Sequence, residues 1–295
     1  MTTATDTTGR LSSLRTAALG AAALSVAALP RGAPAQQATA PRGGSAPTDA
    51  DILAFALNLE YLETEYYLMA ARGAGLGPAE LGGAAGPVRG GRKLAFSNPA
   101  FQHFAEELAL NEAAHVRYLR GALGRGAIQR PPIDFEAGFA GVAQAAGLDP
   151  GFDPFGSEEA FFLGSMLFED TGVTAYKGAA PLLRDKELLK AAAGITAVEA
   201  YHMGMTRSVL YRMGGRARAA AQAISDLRDR LDGPADLDQG VVLNGRANTV
   251  PSDGNGVAFS RTPQQVLRIV YGTDRSGVAG GGFFPSGFGG ALRVT

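Results

Sequence analysis

The sequence contains no cysteine. That excludes disulfides, zinc–thiolate sites, iron–sulfur clusters and a thiol nucleophile. Any bound metal must be held by histidine and carboxylate, a donor set that suits iron, manganese or zinc. Histidine itself is scarce, with 3 in 295 residues. Neither sign of charge is in excess: 27 Lys and Arg stand against 28 Asp and Glu, for a net charge of −1. No nucleic-acid partner is expected from that balance, and no run of like charges forms a tail. Long apolar runs are also missing. The one within Thr16 to Pro30 is about 14 residues, short of the ~20 that a spanning helix needs, so no stable membrane span is expected. What is present is 46% hydrophobic and 19% charged residues with 41 glycines, the profile of a globular chain with loop-rich parts.

Residues 1–35 read as a removable leader. Arg10 and Arg15 supply a positive start, Thr16 to Pro30 is small and apolar, and Ala33-Pro34-Ala35 offers a small-x-small cleavage site before Gln36. The expectation is export, to a periplasmic or extracellular destination. No paired arginines precede the apolar run. Residues 36–48 form an Ala/Pro/Gly/Gln-rich linker, 49–232 a helical bundle, and 233–295 a loop-rich C-terminal extension packed on it.

Five helices are predicted, and no convincing strand pair. The first opens at Thr48 or Asp49 and runs to about Arg72, with Ile52, Phe55, Ala56, Leu59, Leu62, Tyr66 and Met69 at helical spacing. A Gly-rich connection follows from Gly73 to Lys93. The second helix is capped by Ser97 or Asn98 with Pro99 in its first turn, and ends at Gly121 or Gly124. A long Gly- and Pro-rich connection, about 125–156, leads to the third, which begins at Ser157 with Glu158 and Glu159 in its first turn and runs to about Lys177. A short turn then leads to the fourth, about Asp185 to Met213. The fifth, Arg216 to Leu231, is polar enough to lie on the surface. The short third connection makes helices three and four antiparallel neighbours, and the long second one suits a crossover along the bundle. Beyond Asp232 only one short helix is expected, with Thr262 as its cap and Val266 to Tyr271 following.

Two of the three histidines carry a Glu three residues upstream, as Glu112-Ala-Ala-His115 and Glu199-Ala-Tyr-His202. Residues three apart share a helix face, so each pair can address one metal ion. The other two helices share a second regularity: Glu60 precedes Tyr67 by seven residues, and Glu169 precedes Tyr176 by seven. Each half of the chain is then a helix with Glu followed by a helix with Glu-x-x-His, which predicts a pseudo-two-fold axis through a shared site. Burying so many ionisable groups in an apolar bundle needs a compensating cation. Two divalent ions balance four carboxylates, and bridging carboxylates hold such ions ~3.5–4 Å apart. Glu63, one turn beyond Glu60, is the alternative ligand on the first helix. Asp170 points elsewhere, solvated or bonded to backbone. His103 is an ordinary helix residue near the bundle end, and Met203 and Met205 fill core.

These stretches resemble the ferritin-like superfamily, and more closely its exported desiccation-related branch. The likeness lies in Ala56–Glu63, Asn111–Val116, Phe168–Tyr176 and Val198–His202, and in the tail at Thr262–Val266 and Gly281–Pro285. It covers about Asp49 to Gly290. It implies an all-α ferritin-like four-helix bundle with a long crossover between helices two and three, an extra helix and a loop-rich tail. It further implies a dinuclear iron or manganese site on Glu60, Glu112, His115, Glu169, Glu199 and His202, with Tyr67 and Tyr176 bonding ligand carboxylates. The expected partner is a small oxidant, oxygen or peroxide, as in the manganese catalases that share this bundle. Without cysteine the chain has no rubredoxin-type iron centre, so it is no rubrerythrin. The alternative is a desiccation-protective structural module in which metal only stabilises or is absent. Assembly into an oligomer is left open.

Overall fold

The computed structural model describes residues 46–295. The leader and most of the linker expected from the sequence lie outside the described residues. The described part is mostly helical. Helix α1 spans Asp49–Arg72 and opens on a capping box, in which Thr48 and Asp51 each accept the other's backbone N–H. A single helical turn, α2 (Pro78–Leu81), interrupts the Gly-rich connection. Helix α3 (Pro99–Leu123) is capped by Asn98, whose side chain accepts from Ala100 N. The crossover, a loop by its Gly- and Pro-rich sequence, contains a helix, α4 (Phe135–Ala146). Then come α5 (Glu158–Ala179), α6 (Lys186–Met213), α7 (Gly215–Asp232) and α8 (Pro263–Tyr271).

Helices α1 and α3 pack as one pair and α5 and α6 as the other, with α1 also touching α5. The lone-Glu helices occupy the middle. α1 is buried almost throughout Ile52 to Ala71, and α5 throughout Ala160 to Tyr176, so their polar side chains, Glu60 and Glu169 among them, are buried with the apolar ones. α3 and α6 bury one face each and give the other to solvent.

Two short strand pairs correct the expectation of none. β1 (Val88–Arg89) runs parallel to β2 (Ile133–Asp134), and β3 (Val242–Leu243) pairs antiparallel with β4 (Arg246–Ala247). The second pair turns at Asn244-Gly245, a dipeptide suited to tight hairpins. Each strand is two residues long, too brief for an alternating pattern to show.

Aromatic packing joins the crossover and the tail to the bundle. The Tyr66 ring lies within 6 Å of Phe135, Phe139, Phe155, Phe161 and Phe168. Phe283, from the tail, meets Phe139 at 4.9 Å and Phe168 at 5.1 Å. Each such pair contributes about 0.5–1.5 kcal/mol beyond the area it buries.

A buried ionic chain performs a similar task on the other side. Asp170 on α5 accepts from Arg207 on α6 at 2.6 Å and from Arg228 on α7 at 2.7 Å. Arg228 continues to Asp238, which also receives Arg261, and Arg261 reaches Asp232. All three guanidiniums are fully buried. Contrary to the expectation from sequence, Asp170 is paired with two arginines and is neither solvated nor bonded through its side chain to backbone. Its neighbours in space are arginines 37 and 58 positions away, which local spacing does not reveal. α7 is likewise not a plain surface helix: Ala217, Ala221, Ile224, Leu227 and Arg228 are buried. Gly178 allows the tail to close down on α5, because a Cβ there would stand 1.9 Å from the Arg261 carbonyl oxygen. Among the described residues, no helix is long and apolar enough to cross a membrane.

Candidate metal centre

The four bundle helices each aim one carboxylate at a common point near mid-length: Glu60 from α1, Glu112 from α3, Glu169 from α5 and Glu199 from α6. All four are fully buried. His115 and His202 stand one turn beyond Glu112 and Glu199 and share their faces. The imidazole centroids are 6.5 Å apart. Ligand-type atoms gather in two groups, each within 4.8 Å: Glu60, Glu112, His115 and Glu199 in one, and Glu112, Glu169, Glu199 and His202 in the other.

Glu112 belongs to both groups and divides its two oxygens between them. Its Oε2 lies 3.1 Å from His115 Nδ1, and its Oε1 lies 2.8 Å from His202 Nδ1. Around His115 Nδ1 stand also Glu60 Oε2 at 3.2 Å and Glu199 Oε1 at 3.4 Å. Around His202 Nδ1 stands Glu169 Oε2 at 3.5 Å. Neither atom of the 2.8 Å approach, Glu112 Oε1 or His202 Nδ1, has a hydrogen-bond partner. Glu60 Oε2, Glu169 Oε2 and both oxygens of Glu199 are unpartnered as well. Buried polar atoms without partners are costly. Six of them facing one small space could serve as the donor set of a cation site, and two divalent ions against four carboxylates with neutral imidazoles would make that space neutral. The residues present fit a pair of metal ions.

Without cations the cluster takes up protons instead. Burial pushes the Glu60 carboxyl up to about 8, although His115 opposes the shift. Burial also raises Glu169, and it raises Glu199 strongly, helped by repulsion from Glu112. Glu112 alone goes below the usual carboxylate range, because the two histidines outweigh its burial. His115 is held well above its ordinary value by Glu60, Glu112 and Glu199 against the cost of burial. His202, with Glu169 and Glu112 against the same cost, reaches about 11.

The surrounding residues fix the inner ones. The Tyr176 hydroxyl donates to Glu60 Oε1, and the Tyr67 hydroxyl donates to Glu169 Oε1. Each tyrosine thus serves the Glu of the other half of the chain. Asn111, which opens the Asn111–Val116 stretch but has no part in the Glu-x-x-His spacing, joins them. Its amide lies 3.1 Å from His202 Nε2. A metal on Nδ1 leaves the ring proton on Nε2, and the Asn111 oxygen, once turned to the ring, accepts it. The only signal was position, immediately before Glu112. Gly172 is needed for close approach: a Cβ there would stand 2.7 Å from Glu199 Oε2 and 3.2 Å from Glu63 Oε1. Glu63 itself is buried beside the cluster but belongs to neither group. Burial, then repulsion from Glu199, holds it well above the carboxylate range. His103 is exposed and lies apart from both groups.

A helical bundle with this internal carboxylate and histidine cage defines a class, and comparison with known proteins agrees. Residues 48–212 match the family model described as ferritin-like domain. The chain belongs to that family. It is similar to the ferritin-like catalase Nec2 of Nesocodon mauritianus, at 30% identity over 275 residues, covering 86% of this chain and 88% of the relative. It is also similar to the desiccation-related protein PCC13-62 of Craterostigma plantagineum, at 31% identity over 241 residues, covering 75% and 76%.

Proposed function

We propose that this is an exported ferritin-like protein that holds two iron or manganese ions and disproportionates hydrogen peroxide as a stress defence. The observation that carries the reading is Glu112, with one oxygen toward each histidine inside a cage of unpartnered donors. Glu60 and His115 would hold one ion, Glu169 and His202 the other, and Glu112 and Glu199 would span both. A pair of such ions, when bound, supplies two linked one-electron couples, which together match the two-electron chemistry of peroxide. One peroxide is oxidised to dioxygen and a second is reduced to two waters, so two protons must pass from the first to the second. Glu63 Oε1, beside Glu199, is placed to hold a proton, because burial favours its acid form. Tyr176 and Tyr67 keep the outer carboxylates oriented. The relative named a catalase supports the choice of peroxide.

The test is peroxide consumption by purified protein loaded with iron or manganese. His202→Ala and Glu199→Ala should each abolish turnover and remove about one ion per chain, since both ions are needed for a two-electron step. Wild-type protein that binds two ions and consumes neither peroxide nor oxygen would sink the reading. It would favour a protective module stabilised by metal, which the relative named desiccation-related supports. Export rests on the leader-like residues 1–35. Intact mass of natively expressed protein should correspond to a chain starting at Gln36, and a mass starting at Met1 or Thr2 would remove it.

A further inference from the structure

The metal centre has two unlike approaches. On the α3–α6 side the His115 side chain keeps 11% of its surface in solvent, and Asn111 and the two imidazoles make that side polar. Where α1 and α5 meet the α5–α6 connection and the first part of α6, a small pocket has Tyr176 in its wall. Ile52, Leu59, Ala175, Leu183 and Ala192 line it with Tyr176 and are buried, and Ala179 and Ala180, also in its wall, are half-buried. Leu59 adjoins Glu60 in the chain, and the Tyr176 hydroxyl bonds Glu60. Tyr176 therefore belongs both to the wall of the pocket and to the surroundings of the cage.

Its chemistry selects its occupant. The volume is about 20 Å³, against the roughly 10–15 Å³ that one water-sized molecule needs. A buried water requires two to four polar partners, and these walls are almost all carbon, with the one nearby hydroxyl already donating to Glu60. A peroxide molecule has the same requirement. A diatomic apolar gas meets both limits.

We propose that this pocket is a dioxygen site, through which the gas leaves or reaches the metal centre while peroxide uses the polar α3–α6 side. The assignment deepens the peroxide reading and rests on it for its purpose. It does not rest on it for its existence, which can be tested without turnover.

Crystals of the metal-loaded full-length protein pressurised with xenon should show one xenon between α1 and α5, against Leu59 and Tyr176. Ala179→Leu and Leu183→Phe each fill the pocket, and neither residue touches the cage. Xenon should vanish in both. In methyl-labelled, zinc-loaded protein, dissolved dioxygen should broaden the Leu59 and Leu183 methyl resonances several-fold more than that of Leu210, which is buried elsewhere on α6. Ordered water in the pocket, xenon absent from the wild type, or equal broadening of all three leucines would overturn the proposal. If xenon and dioxygen both enter the pocket while the loaded protein leaves peroxide untouched, the peroxide reading falls and the gas site stands.

Discussion

At Glu112 one carboxylate serves two histidines, and the residue before it in the chain steadies one of them. Asn111→Leu removes the amide that lies 3.1 Å from His202 Nε2. The expected result is a fall of about 10–100-fold in the affinity for one of the two ions, measured by competition with a metal-sensitive dye. Asn111→Asp keeps an acceptor and should retain the affinity, whereas a mere packing role would leave Asp as harmful as Leu. Tyr176→Phe removes one hydrogen bond to Glu60 without removing a ligand, so metal should stay and the rate or affinity fall by ~10–100-fold at most. Gly172→Ala places a methyl 2.7 Å from Glu199 Oε2, and Glu199 must move. Metal content should drop although no ligand is substituted; unchanged content would mean that Glu199 is not where the cage needs it. The pairs Glu112/His115 and Glu199/His202 were legible because ligands sharing a helix face leave a three-residue spacing. Asn111 and Gly172 were not legible, since the one acts across to another helix and the other acts by lacking a side chain.

Among the elements, the long helices were readable from their caps and apolar periodicity: Thr48, Asn98, Ser157 and Asp185 each accept a backbone N–H at a helix start. Helix α4 was hidden by Gly138 and Gly141 and by its Gly/Pro-rich flanks. Gly138 is there because a Cβ would strike the Phe283 ring at 2.2 Å, so the residue that conceals the helix also lets the tail dock on it. The ionic chain was hidden for a different reason. Its partners lie on α5, α6, α7 and the tail, and no local pattern links them. Removing one member leaves buried charge uncompensated, at a cost of about 3–5 kcal/mol. Asp170→Asn should therefore lower the unfolding temperature clearly in a thermal melt and hasten proteolysis after Asp232, where the tail departs. Glu187→Ala, which breaks an exposed pair with Lys190, should change the melt by no more than an isolated surface ion pair does, about 0–1 kcal/mol. Equal effects from the two would contradict the buried chain as the fastening of the tail.

For the whole molecule, the proposed centre makes protons and metal ions rivals for one cage. Glu60 rises from 4.5 to about 8 on folding, and His202 from 6.5 to about 11, so the folded metal-free protein binds these protons more tightly than the unfolded chain. That stabilisation is complete below the unfolded values and is lost as pH rises through the folded ones. The metal-free protein should lose stability from about pH 4.5 to about 8 through Glu60, and from about 6.5 to about 11 through His202. Metal ions displace the protons, so their binding tightens with rising pH and releases acid. The gap in unfolding temperature between loaded and metal-free protein should widen from about pH 6 to about pH 9. A gap that narrows would mean the cage does not exchange protons for metal. The most direct test of the centre is anomalous diffraction from crystals loaded with manganese or iron. Two peaks should lie about 3.5–4 Å apart, one among Glu60, Glu112, His115 and Glu199 and the other among Glu112, Glu169, Glu199 and His202. A single peak, no peak, or metal bound elsewhere would contradict the two-metal centre.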